Sequence, residues 1–194
     1  MGAVAVVDID KSSQISSARK ARREQIVTAA HALIGAQVDD DFDPVHSPLS
    51  PVDVVMVAGA PWLKEALEKD YAKDESGYKK IGGGANTPKM PYFFRSAVNL
   101  MHFFKRQGLY VPRGGKPAPA AGMACFLDWD DRGRFNFAPD RSGIIVKTKS
   151  NQIDSIVLPQ EDSSVRKNNF VVKLIDVEPS SSLDLAIIGY SDFP

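Results

Sequence analysis

One cysteine, Cys125, stands in a chain of 194 residues. A single thiol excludes an intrachain disulfide and any multi-cysteine metal site. Histidine is almost as scarce. His31, His46 and His102 lie far apart and form no His-x-x-x-His pair, so no metal set is expected. Neither charge is in surplus, with 24 basic and 24 acidic residues and a net charge of zero. That balance does not call for nucleic acid or an anionic membrane as a partner. No apolar run reaches the roughly 18 residues that a membrane span requires. Met1–Asp8 has no basic flank and too short an apolar stretch for a secretory signal. Val6 stands where a myristoylation pattern wants Ser or Thr. These absences taken alone point to the cytoplasm.

What is present suits one ordinary domain. Hydrophobic residues make up 43% of the chain, enough for a globular core. Residues 1–17 are mixed and serine-rich, and read as a flexible arm ahead of a single domain over 18–194. Ser17 leads into a helix ending near Ile34, with Val27, Ala30, Leu33 and Ile34 at helical spacing and Gly35 as its stop. Its basic start, Arg19, Lys20, Arg22 and Arg23, reads as a solvated helix face. Residues 51–69 read as one helix, or as two broken near Ala60-Pro61, and Arg95–Gln107 as an amphipathic helix closed by Gly108.

Beyond Pro112-Arg113-Gly114-Gly115-Lys116-Pro117 the pattern changes to strands. These are expected at Met123–Trp129, Gly143–Lys149, Ile153–Leu158, Phe170–Val177 and Leu185–Tyr190, with a turn at Ser150-Asn151. Helices first and strands after predict an α+β fold, N-terminal helices packed on a C-terminal antiparallel sheet.

Few groups can carry chemistry. The aspartates at 39–43 and the Asp128–Gly133 turn lack the spacing or the distal glutamate of a calcium loop. Gly82-Gly83-Gly84 has no Gly-Lys-Ser/Thr behind it, so no phosphate loop and no cofactor are expected. Ser50 and Pro51 open a helix as N-cap and first turn. A helix N-terminus is a common seat for a nucleophile or a bound anion. As nucleophiles the candidates are Ser50, with His46 as base four residues earlier, and Cys125 with His102. Against these stand simpler roles: Ser50 as a cap, Cys125 as a small hydrophobe within a strand, His102 at a core edge.

The order of elements, with the helix that begins at Ser50-Pro51, resembles the papain-like cell-wall peptidases of the NlpC type. An uncharacterised bacterial branch of that group is similar in its motifs. It shows Tyr-Asp-Pro, a Cys-Thr-Asp-Val-Val helix start, an Asn-Leu and aromatic pair in a later helix, a Gly-Asp-Ile-Val strand, His-Ile-Gly-Ile-Val, and a terminal Gly-His-Tyr-Arg. This chain has Phe42-Asp43-Pro44, Pro51-Val52-Asp53-Val54-Val55, Val98-Asn99-Leu100 through Phe104, Ala121-Gly122-Met123-Ala124, Arg141-Ser142-Gly143-Ile144-Ile145-Val146, and Ile188-Gly189-Tyr190-Ser191. The resemblance covers residues 20–194.

The departures fall on the chemistry. Pro51 takes the place of the family's cysteine, Arg141 that of its catalytic histidine, and Tyr190 that of the terminal histidine. Proline has no nucleophile, and arginine does not deprotonate near neutral pH. The resemblance therefore implies a non-catalytic member. It would bind a cell-wall peptide or glycan, or a protein partner, through Ser50, Asp53, Arg141 and Tyr190. The alternative is an active peptidase or amidase using Ser50 or Cys125. The family implies the cell envelope or secretion, in conflict with the missing signal.

Overall fold

The computed structural model describes residues 8–38, 61–77, 96–128, 139–161 and 170–193. The predicted helix at 51–60, the glycine triplet and the Asp130–Gly133 turn lie outside the described residues. In chain order the elements are α1 (Asp8–Ala32), β1 (Gln37–Val38), α2 (Pro61–Lys73), α3 (Ala97–Arg106), β2 (Tyr110–Pro112), β3 (Ala124–Leu127), β4 (Arg141–Lys149), β5 (Gln152–Glu161), β6 (Phe170–Asp176), α4 (Ser182–Ala186) and β7 (Ile187–Ser191). The strands form one sheet in the order β1-β6-β5-β4-β3-β7-β2. Every neighbouring pair is antiparallel. The α+β expectation with an antiparallel sheet is met, although β1 lies between α1 and α2 and α4 between β6 and β7.

Local chemistry explains most of the element ends. Pro61 opens α2, a position where its missing N–H costs nothing. Ser96 caps α3 by accepting from the Asn99 N–H, and Gly108, at φ +67°, lets the chain leave it. Ser150 and Asn151, at φ 52° and 63°, form the tight turn joining β4 to β5.

Three elements escape the sequence pattern. β1 and β2 have only two and three residues, too short for a period of two to register. α4 is a five-residue helix inside the predicted run of strands, capped by Ser181 accepting from the Asp184 N–H. α1 also begins at Asp8, inside the stretch predicted to be an arm. Extending an existing helix costs far less than nucleating one, so moderate helix formers such as the serines here can join it.

Period-two alternation along β3 divides the core. Ala124 and Phe126 point to one face, with Ile144, Val146, Val157 and Val172, and there meet Ile26 and Ala30 of α1, Leu63 and Leu67 of α2, and Leu100, Phe103 and Phe104 of α3. Phe104 sits edge-on to Phe126 at 6.0 Å and to Phe193 at 5.4 Å. Met123, Cys125 and Leu127 point to the other face with Ile145, Ile156, Leu158 and Tyr190, under Leu183 of α4. The protein is thus layered, with three helices on one face and α4 and the 113–120 connection on the other.

Candidate functional site

Among the described residues, β3 carries Cys125 and lies between the strands that carry Arg141 and Tyr190. It pairs with β4 on one side and β7 on the other. Cys125 faces Gly143 in one register and Tyr190 in the other. Leu127 stands opposite Arg141. Gly143 is required here because a side chain on it would meet the Val157 carbonyl at 2.7 Å and the Cys125 sulfur at 3.5 Å.

Cys125 is completely enclosed. Loss of solvation pushes its thiol from 9.0 up to about 12, only partly offset by backbone hydrogen bonding at Gly143. A thiol at that value is not a thiolate at neutral pH and is a poor nucleophile. Its supposed partner His102 is on α3, which packs against the opposite face of the sheet. The fold does not bring these two together. The other proposed pair, Ser50 with His46, lies outside the described residues, as does Asp53.

Arg141 is half-buried at the first position of β4. Tyr190 is 3% exposed. Its phenol stands within hydrogen-bonding distance of the carbonyls of Gly115 (3.2 Å) and Pro117 (3.0 Å). Burial raises its pKa. Tyr190 thus braces the 113–119 connection from beneath.

That connection forms one wall of a cleft of about 430 Å³. The β4–β5 turn supplies the facing wall through Asn151, Gln152 and Ile153, and Ile187 and Tyr190 contribute from β7. Register irregularities between Ile145 and Thr148 mark where β4 bends, as bulges do by increasing local twist. Two cations, Arg113 and Lys116, line the cleft beside Asp184. In the sequence, 112–119 reads only as a break in pattern. Its signal was two cations spaced by glycines in a proline-bounded loop.

Among the described residues, no group of three or more His, Cys, Asp or Glu side chains is gathered to hold a metal ion. No helix among them is long and apolar enough to cross a membrane. No protein-family model, curated protein or solved structure matches this chain.

Proposed function

We propose that the chain is a non-catalytic binding domain of papain-like, NlpC-type architecture. It takes a cell-wall peptide or glycan, or a protein partner, where the resembling peptidases hold their active site. One observation carries the reading. Motifs scattered from residue 98 to residue 191 come together in space. β4 and β7, which carry the Arg141–Val146 and Ile188–Ser191 motifs, flank β3, whose first residue ends the Ala121–Ala124 motif. The Asn99-Leu100 helix packs against Ala124, Phe126 and Ile144 of that sheet.

The chemistry supports loss of catalysis. Arg141 holds the histidine position and cannot act as a base. Cys125 is sealed in the core with a thiol near 12. A guanidinium at the start of β4 is instead suited to hold a carboxylate through paired hydrogen bonds.

The test is incubation of the purified protein with peptidoglycan fragments, reading both retention and cleavage. Retention without cleavage, weakened by Arg141→Ala, is the expected result. Cleavage that vanishes in Ser50→Ala overturns the reading and names a nucleophile. Neither retention nor cleavage removes the cell-wall ligand and leaves the protein partner, to be sought by pull-down.

A further inference from the structure

The cleft between the 113–119 connection and the β4–β5 turn is lined by Tyr190 but not by Arg141, and its lining has a definite chemical character. We propose that it binds a short peptide or an apolar amino acid through a free carboxylate. Its volume, about 430 Å³, lies within the range of small-molecule sites.

Arg113 is oriented before any ligand arrives. One terminal nitrogen donates to the Asp184 carboxylate at 2.8 Å, and the other donates to the Asp184 backbone carbonyl. Each terminal nitrogen of a guanidinium carries two N–H groups, so that contact leaves donors over. The Asp184 carboxylate is itself fixed by the Ser180 N–H at 3.1 Å. Lys116, exposed on the same wall, makes no ion pair among the described residues.

Two cations against one carboxylate leave a single net positive charge. That matches a monoanion such as a carboxylate better than a dianionic phosphate, which would be left undercompensated. The rest of the lining fits the remainder of such a ligand. Asn151 and Gln152 offer amides that can both donate to and accept from a peptide group. Ile153, Ile187 and Pro119 give an apolar wall for a side chain. The Tyr190 hydroxyl is occupied with Gly115 and Pro117, so it holds the loop in place rather than meeting the ligand.

The test is titration of the intact chain with the dipeptide Ala-Leu, its C-terminal amide, and inorganic phosphate, followed by backbone amide shifts in heteronuclear NMR. The free acid should move Gly114, Gly115, Asn151 and Gln152, and bind roughly tenfold more tightly than the amide, as loss of a charge-assisted contact implies. Lys116→Ala should weaken the acid several-fold with an unchanged thermal midpoint, and Lys116→Arg should restore it. Arg141→Ala should leave this binding intact, which separates the cleft from the other groove. Equal binding of acid and amide, or no shift at these residues, overturns the proposal. Tighter binding of phosphate than of the acid overturns the carboxylate assignment.

Discussion

Arg23 of α1 grips Asp192, just past the end of β7, with two hydrogen bonds, Nε at 3.0 Å and a terminal nitrogen at 2.6 Å. Arg19 adds a longer contact at 3.5 Å. The basic run at the start of this helix, expected to be only a solvated face, is therefore in part a clasp between the first helix and the last strand. The Asp192 side chain is 12% exposed, so the pair is largely shielded from water and salt. Asp192→Ala should cost about 1–3 kcal/mol, since it leaves Arg23 partly buried without its carboxylate. Urea denaturation at low and high salt checks this. A loss below a few tenths of a kcal/mol would place the pair among inconsequential surface bridges.

The same helix lies directly on Gly122. A side chain there would approach the Arg23 Cα to 2.6 Å, and the backbone sits at φ +86°. Gly122→Ala should therefore combine left-handed strain of about 1 kcal/mol with displacement of α1, for a total above about 2 kcal/mol. Gly114 is the control. It has φ +76° but nothing within 4 Å of a Cβ, so Gly114→Ala should show the backbone strain alone. Thermal melts of both variants give the comparison, and equal losses would remove the contact argument.

Gly122 also shows how far the sequence can be read. It was legible as part of a motif, but not as the point where a helix about a hundred residues earlier comes to rest. The pattern exposed α3 because Leu100, Phe103 and Phe104 recur at helical spacing, and β4 because Ile144–Val146 is a short β-branched apolar run buried on both faces. It said nothing of β1, β2 or α4, whose two, three and five residues are too few for a period. The candidate site was legible as residue types. Which sheet face each residue takes depends on pairing register, which is a long-range property. That is why Cys125 and His102 could be paired on paper yet belong to opposite faces. The cleft at Arg113 and Lys116 needed the β4–β5 turn to fold over it, and no local pattern encodes that approach.

Asp70 of α2 joins α2 to α3. It accepts from Arg106 Nε at 3.1 Å and from the Gln107 side-chain amide at 2.9 Å, while its own side chain is 4% exposed. Asp74 accepts from the other end of the same guanidinium at 2.6 Å, but is 33% exposed. Removal of the buried acceptor should hurt more, because Arg106 and Gln107 then lose a partner that water replaces poorly. Asp70→Ala is expected to cost about 2–3 kcal/mol, and Asp74→Ala less than about 1. Chemical denaturation of the two variants settles the order, and a reversed order would sink the argument.

Cys125 predicts a pH dependence with a definite sign. Its thiol titrates at 9.0 when solvated and at about 12 in the fold. Between those values the unfolded chain has released the proton and the native chain has kept it, so the native state binds more protons. Stability contributed by this group is fully present below 9.0 and declines as pH rises toward 12. The slope approaches about 1.4 kcal/mol per pH unit. Burial also raises Tyr110 and Tyr190, and both act in the same direction at higher pH. Cys125→Ala should be less stable near neutrality, by about 1 kcal/mol for the lost sulfur contacts. Its alkaline decline should be shallower, so the two stability curves converge as pH rises. Denaturant midpoints taken from neutral pH upward give the test, and parallel curves would show that the buried thiol is not the source. In the native protein the same thiol should resist alkylation, reacting far more slowly than in the unfolded chain because only opened states expose it.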